Sequence, residues 1–450
     1  MVAGGGGRAV VIGGGVAGLS AAAELSDYGW RVLVLEKEAE VGGRCRTARS
    51  GDFLFDTGAQ HFHDSFDDTL NAAIRNGLGD KFRLPRQTKG IFHEGSLSEF
   101  VPRDLNPASL LPWKAMGRTG ILDAAFVGAS LLRGYNGYNL RFPFWWQKGD
   151  NRLAEDYLAK RTTRRYRQVV AEPVALYAHG AGLYDISESA YLVAQRYTFG
   201  DRTGGFTEGM GSLPAALARK AEVVTGMEAT GIVREGGSVV GVTARPTEGG
   251  RSRKYKADLV VCAVPAPLVA GVTGELGPAA SRIVGETSYA PAIVVNMAFD
   301  GQPQGPGGPV LLPSIDGFRA SWICAGNSKA DEYAPAGTTV ISAVFAAQSA
   351  ESLLETSDDV LIAMAQADSA RVIGTDRANC LAARVDRHRM ARPVVSPGHA
   401  SRVQALRVEG SGVEGLVLAG DWTMSPTVEG AVSSGRWAAS FALAHAAASQ

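Results

Sequence analysis

Arg8-Ala-Val-Val-Ile12, then Gly13-Gly-Gly-Val-Ala-Gly18, then, after an alanine-rich run, Arg31-Val-Leu-Val-Leu-Glu36: this stretch decides the fold. The first five residues are a β-branched run that reads as a strand, Val16 to Ser26 carries alanines and leucines at helical spacing, and Arg31 to Leu35 is a second strand. The three pieces make one βαβ unit. Gly13, Gly15 and Gly18 fill a GxGxxG pattern at the first strand-to-helix turn. Gly13 permits the tight turn, Gly15 lets backbone approach a pyrophosphate, and Gly18 lets helix and strand pack closely. Val16 and Ala17 open the helix, whose N–H groups and partial positive charge face the phosphates. Glu36 ends the second strand, where a carboxylate accepts from ribose hydroxyls and disfavours a 2′-phosphate. NADP is therefore disfavoured, while the fingerprint itself leaves NAD and FAD open.

Working outward, 450 residues exceed what one hydrophobic core organises, so two or three structural units are expected. Lys plus Arg equals Asp plus Glu at 45 each, so no long-range field favours nucleic acid or an anionic membrane. Cys45, Cys262, Cys324 and Cys380 are widely spaced and form no CxxC pair, which argues against a metal site and against a disulfide framework. They read as reduced thiols, and a cytoplasmic location without a signal peptide is the expectation. The longest apolar stretch outside the first motif, around Gly120 to Leu132, is shorter than the roughly 18 to 20 residues of a membrane span.

Further along, polar clusters from Gly58 to Asp68 and from Pro102 to Pro112 read as loops, and Phe142, Phe144, Trp145 and Trp146 form an aromatic cluster. Leu153 to Arg164 reads as one helix. Leu213 to Lys220 reads as a helix, Val239 to Thr243 and Leu259 to Val264 as strands, and Gly301 to Gly308 as a surface loop. A region poor in βαβ units runs to about Arg392, and Leu416 to Leu418 with a helix from Val428 to Ala446 closes the chain. The expected organisation is interleaved. Residues 1–65, 205–272 and 400–450 form a two-part Rossmann-type α/β domain, and 66–204 with 273–399 form an α+β substrate domain.

Two segments extend the first motif: Glu36-KEAEVGGRCR-Thr47 and Phe55-DTGAQH-Phe62. With Gly415-LVLAGDWTMSPTVEGAVSSGRWA-Ala439 at the other end, the chain resembles the amine oxidase, phytoene desaturase and protoporphyrinogen oxidase superfamily of flavoproteins, of the glutathione-reductase-like fold. The resemblance implies non-covalent FAD. It implies that Lys37, Gly42, Gly43, Arg44, Thr57, Gly58, Ala59 and Ala229 continue the cofactor site, and that Gly420 and Asp421 meet the ribityl chain or pyrophosphate. Glu429, Gly430 and Ala431, at the start of a helix, would face the flavin pyrimidine. A helix N-terminus there suits the negative charge that reduction places on the ring. Cys45, inside the GGRCRT segment, reads as a small buried thiol and not as a flavin attachment point.

Leu153 to Ala190, Gly204 to Lys220, Val261 to Ala270 and Ala391 to His399 resemble recurrent segments of the same superfamily, and AGDWT followed by EGAV is most similar to plant-type phytoene desaturases and squalene-associated desaturases. Amine oxidases of the superfamily carry a lysine near the flavin and an aromatic before the EGA helix. Here Ala290 to Asp300 holds no lysine, and Thr427 stands at the aromatic position. The implied activity is a desaturase or dehydrogenase passing hydride from a C–H bond of a lipophilic isoprenoid-, carotenoid- or tetrapyrrole-like substrate to the flavin, with oxygen or a quinone as acceptor. An amine oxidase releasing peroxide and a redox-neutral flavin isomerase stay open as alternatives. His61 is the candidate for orienting substrate, against the plainer reading of a loop histidine bonded to backbone. The aromatic cluster is a substrate throat, a lip touching a membrane peripherally, or core packing. Arg161, Arg164, Arg165 and Arg167 read as a solvated helix face, with an anchor for an anionic substrate as the alternative.

Overall fold

A computed structural model of the chain describes residues 6–85, 88–102, 113–133, 149–301, 306–375 and 378–448. Five strands form one all-parallel sheet in the order Glu222–Val224, Arg31–Leu35, Arg8–Ile12, Leu259–Cys262, Leu416–Leu418. Val10 lies opposite Leu33 on one side and Val260 on the other. These strands are buried on both faces, which is why they read as unbroken runs of Val, Ile and Leu instead of alternating. The strand order reverses between Arg8–Ile12 and Leu259–Cys262, and such a reversal leaves a crevice at the carboxyl ends of the strands. The fold is the expected Rossmann type.

The helix Val16–Asp27 covers one face of this sheet and is itself covered by the closing helix Val428–Ala448. The two approach so closely that a Cβ added to Gly435 would sit 2.2 Å from the Ala17 carbonyl oxygen and 2.8 Å from the Ala21 nitrogen. Small residues on both helices set this distance. The two ends of the chain are thereby packed together.

A three-stranded antiparallel sheet, Met227–Glu235, Ser238–Pro246 and Arg253–Lys256, follows the Glu222–Val224 strand. The region expected to be poor in βαβ units contributes most of a seven-stranded, largely antiparallel sheet. Its order is Cys380–Pro393, Tyr289–Asp300, Thr338–Ala346, Trp322–Ala325, Val310–Leu311, Lys89–His93, Ser96–Phe100. Along Tyr289–Asp300 the two faces alternate from Ala292 onward, after a register shift between Ala290 and Ala292. Ile293, Val295, Met297 and Phe299 pack into the core under the Asp358–Ile373 helix, while Ala290, Ala292 and Val294 face a cavity. Helices Glu172–His179 and Glu188–Gly200 bring further side chains to that cavity.

The single helix expected over Leu153 to Arg164 is two. Ala154–Ala159 stops, and Arg164–Tyr166 starts from Thr163, whose hydroxyl accepts from the Tyr166 N–H at 3.2 Å. Asp123 holds that cap by accepting from both the Thr163 N–H and hydroxyl, at 3.0 and 2.6 Å. The four arginines therefore share no helix face. Arg161 lies over the Phe126 ring, Arg165 faces Glu94, and Arg167 pairs with Glu155 at 2.9 Å with both side chains largely buried. None of them lines the cavity. Phe142, Phe144, Trp145 and Trp146 lie outside the described residues. Among the described residues no helix is long and apolar enough to cross a membrane, and no group of His, Cys, Asp and Glu is arranged to hold a metal ion.

Candidate active site

The crevice is a cavity of about 990 Å³, at the upper end of the roughly 300 to 1,000 Å³ typical of ligand pockets. Gly13, Gly15, Val16, Ala17, Glu36, Lys37 and Ala229 form part of its wall. A Cβ on Gly15 would meet nothing within 4 Å, so the backbone there fronts open space that a phosphate can occupy. Gly18 lies behind the wall, where a Cβ would fall 2.0 Å from the Gly13 carbonyl oxygen. The buried Glu36 carboxylate is fixed by two backbone donors, Gly14 N–H at 2.6 Å and Glu38 N–H at 2.8 Å. Each oxygen keeps a lone pair for a further donor.

Gly43, Arg44, Gly58, Ala59, Gly420 and Asp421 also line the cavity. Arg44 and Asp421 meet in a bidentate pair, 2.8 and 2.9 Å, and Arg44 also donates to the Ala391 carbonyl at 2.7 Å. Burial works against the guanidinium charge, but Asp421 and Tyr289 outweigh it and raise the Arg44 pKa. Gly42 and Thr57 are off the wall. Gly42 N–H donates to the Gly14 carbonyl at 2.8 Å, and the Thr57 carbonyl accepts from His388 Nε2 at 2.6 Å.

Thr427, Val428 and Ala431 reach the cavity from the start of the closing helix. Thr427 Oγ1 caps it by accepting from Gly430 N–H at 3.0 Å. Gly430 itself packs inward, where a Cβ would clash with the Ser425 carbonyl at 2.0 Å. Glu429 points away from the cavity. Its fully buried carboxylate accepts from the Asp68 and Thr69 N–H groups at 3.0 and 2.8 Å and from the Thr69 hydroxyl at 2.8 Å, capping the helix Asp67–Arg75. Burial nevertheless raises its pKa against those three bonds.

One part of the remaining wall is aromatic. His61, His63, Phe66, Tyr177, Tyr197 and Trp322 gather with ring centres 4.8 to 6.3 Å apart between neighbours. His61 Nε2 and the Tyr177 hydroxyl are 2.7 Å apart, so His61 is bonded to a side chain and not to backbone. Burial, then Lys89, Lys329 and Arg392, holds the His61 pKa well below the ordinary histidine value, and the ring is neutral. Among the described residues its Nδ1 has no partner, and neither do His63 Nδ1 and the Tyr197 hydroxyl.

Sequence reasoning named His61 but missed Tyr177, Tyr197, Trp322 and Arg392. Tyr177 and Arg392 lie in two of the segments that resemble the superfamily, yet only the third dimension brings them to one wall. Arg392 carries a local signal, a cation in an otherwise uncharged ARPVV run.

A parallel sheet with a glycine-cradled crevice, closed from both ends of the chain and fitted with an aromatic chamber, defines a nucleotide-dependent oxidoreductase. The family described as flavin containing amine oxidoreductase matches residues 16–442, and the chain belongs to it. A coproporphyrinogen III oxidase of Mycobacterium tuberculosis is 26% identical over 434 residues, covering 88% of this chain and 89% of the relative. Mitochondrial protoporphyrinogen oxidase of Nicotiana tabacum is 36% identical over 105 residues, 23% of this chain and 20% of the relative. Among solved structures, a putative protoporphyrinogen oxidase of Exiguobacterium superposes with a TM-score of 0.73 at 20% identity, covering 97% of this chain and 99% of the other. Cyclohexylamine oxidase of Brevibacterium oxydans also gives 0.73, at 16% identity, with 98% and 100% covered. These two share the fold.

The chain is thus an FAD-dependent oxidoreductase acting on a small molecule, related to the porphyrinogen oxidases. Cys45, the thiol in the cavity wall, donates to the Met210 carbonyl at 3.4 Å, and burial raises its pKa, which favours the protonated thiol.

Proposed function

We propose that the enzyme dehydrogenates a carbon-hydrogen bond of a lipophilic, ring-bearing substrate of the tetrapyrrole type. The carrying observation is the substrate wall: Tyr289–Asp300 presents only Ala290, Pro291, Ala292 and Val294 to the cavity, with no lysine among them, and Val294 stands in register with Val344 and, beyond it, Trp322 of the aromatic chamber. Such a wall grips an apolar ring system by contact area. The long match to a coproporphyrinogen III oxidase supports a tetrapyrrole over a polyene, while the AGDWT and EGAV segments support C–H dehydrogenation in general.

Bound flavin supplies the hydride acceptor. On the protein side, Glu36 and the Gly13–Gly18 turn hold the ADP half, and Arg44 with Asp421 fixes the middle of the cofactor path. His61, neutral and locked to Tyr177, orients the reacting ring instead of storing its proton, because the cations around it oppose a second charge. The proton that leaves the neighbouring atom passes to solvent.

The test is anaerobic mixing of flavin-loaded enzyme with porphyrinogens, prenyl polyenes and an amine panel. Bleaching of the flavin by a porphyrinogen, with recolouring on admission of oxygen or a quinone, is expected. Bleaching only by amines, with peroxide released in air, overturns the reading in favour of amine oxidation. Turnover that requires prior flavin reduction and consumes no acceptor overturns it in favour of isomerisation.

A further inference from the structure

The strand Cys380–Pro393 runs antiparallel beside Tyr289–Asp300, and His388 stands directly opposite Ala292. Residues opposite each other in an antiparallel pair point to the same face, so the imidazole lies on the cavity side with Ala292 and Val294, and it forms part of the cavity wall. Its Nε2 is 2.6 Å from the Thr57 carbonyl oxygen. A carbonyl only accepts, so Nε2 carries the hydrogen and Nδ1 of the neutral ring carries the lone pair. Thr57 leads into Gly58 and Ala59 of the cofactor path, which puts His388 where the substrate wall meets the cofactor wall.

That lone pair is free. Nδ1 of His388 makes no hydrogen bond to a described residue and keeps access to open space, whereas Nδ1 of His61 and of His63 are sealed within the wall. Burial lowers the His388 pKa below the ordinary 6.5; the Thr57 bond and Asp386 on its own strand pull the other way, and Arg44 and Arg46 add to the lowering. The facing strand offers only Ala292, and Asp386 already gives both oxygens to Arg384. The ring is therefore neutral near pH 7. Other acids and bases of the wall are committed: Glu36 to backbone donors at the ADP end, Asp421 to Arg44, and His61 to Tyr177.

We propose that His388 is the base of the reaction, its Nδ1 accepting the proton lost from the atom next to the carbon that gives up hydride. The C–H electron pair leaves with its hydrogen to the bound flavin, the neighbouring N–H or C–H bond breaks with its proton going to Nδ1, and the pair left behind forms the new double bond. Two electrons pass from substrate to flavin and on to oxygen or a quinone, and the imidazolium returns its proton to solvent. Loss of hydride leaves the neighbouring proton strongly acidic, so a weak base suffices. The assignment rests on the dehydrogenation reading and not on the tetrapyrrole ring.

Two measurements test it. Labelling of flavin-loaded enzyme by diethyl pyrocarbonate, located by mass spectrometry of its peptides, probes the lone pair without turnover. His388 is expected to be labelled at about pH 7 and more slowly at about pH 5, with His61 and His63 unlabelled; an unlabelled His388 overturns the proposal. The second is the anaerobic rate of flavin bleaching at saturating substrate. His388→Gln keeps an N–H for the Thr57 carbonyl but has no base, and the rate is expected to fall by about a hundredfold to ten-thousandfold with KM, FAD content and melting temperature near those of the parent. Protonation removes a base, so the parent rate should decline as pH falls below 6.5, and that decline should vanish in His388→Gln. Added imidazole should restore part of the rate in His388→Ala. An unchanged rate and pH profile in His388→Gln, or a variant that loses FAD instead of rate, overturns the proposal. If no porphyrinogen bleaches the flavin but another compound of the panel does, the tetrapyrrole reading falls and the same comparison with that compound decides His388.

Discussion

Replacing Lys329 by Met tests the buried node on which the cavity wall rests. Lys329 Nζ and Asp56 Oδ2 are 2.7 Å apart, with side chains 2% and 0% exposed. Removing one member of a buried pair costs about 3 to 5 kcal/mol because the other charge is left uncompensated. The lower end applies here, since Asp56 keeps three donors: the Tyr333 hydroxyl at 2.6 Å, the Thr47 hydroxyl at 2.7 Å and Met210 N–H at 2.9 Å. Unfolding entropy of about 2.1 cal/mol/K per residue gives close to 1 kcal/mol/K over the whole chain, so a loss of about 3 kcal/mol lowers the melting temperature by about 3 °C. The double variant Lys329→Met with Asp56→Asn removes both charges and is expected to recover at least half of the loss. The assay is thermal and urea unfolding of the apoprotein for the parent, both single variants and the double. The Asp56 carbonyl also accepts from Gln60 at 2.6 Å and Asn296 at 3.0 Å, so FAD affinity should weaken in Lys329→Met along with stability. A melting temperature unchanged to within a degree, or additive losses in the double variant, would refute a charge-coupled node.

Three other outcomes follow from the same geometry. Glu36→Gln replaces one of two acceptors by an amide donor opposite a backbone N–H, and titration of apoprotein with FAD should show affinity lower by about tenfold to a hundredfold with the melting temperature of the apoprotein little changed. Gly435→Val places a branched side chain against the Ala17 carbonyl and should cost about 1 to 3 kcal/mol and reduce the flavin retained on purification; unchanged flavin content would contradict the close helix crossing. Burial lowers the His179 pKa from 6.5 to about 4, against its bond to the Ala190 carbonyl, so between those values the unfolded chain binds a proton that the folded one does not. Stability should therefore fall as pH drops below 6.5, by roughly 2 kcal/mol from this residue at pH about 5, and urea unfolding of His179→Gln should show a flatter pH profile.

What could be read in the sequence was local. The strand, glycine turn, helix and acid from Arg8 to Glu36 sit together in the chain, and the backbone geometry of each follows from its own residues. Thr427 and Ala431 reach the cavity for the same reason, because a helix start is written in neighbouring residues. Lys329 and Asp56 are each unremarkable in their own segments and become a pair only through the seven-stranded sheet. Glu429 shows the reverse error of inference: beside two wall residues in sequence, it turns to cap another helix because the helical period sends it there. Thr163 broke an expected helix by taking a cap that Asp123 supports from forty residues earlier in the chain.

The wall of the cavity is shared between chain segments in a way that makes the site conditional on both ends docking. Arg44 from the N-terminal segment and Asp421 from the C-terminal one neutralise each other only when the two are in place, and either alone would leave a largely buried charge. Asp68 makes a similar tie, taking Ser433 at 2.6 Å and Arg436 as donors, beside the helix that Glu429 caps. The Ala17–Gly435 crossing adds backbone contact that tolerates no added atom. A cofactor lying along this seam touches groups from both sides, so its binding energy is felt as docking energy of the closing helix. Weakening any one tie should then show first as loss of flavin and only afterwards as loss of fold, since the parallel sheet retains its four other strands without Leu416–Leu418 at its edge.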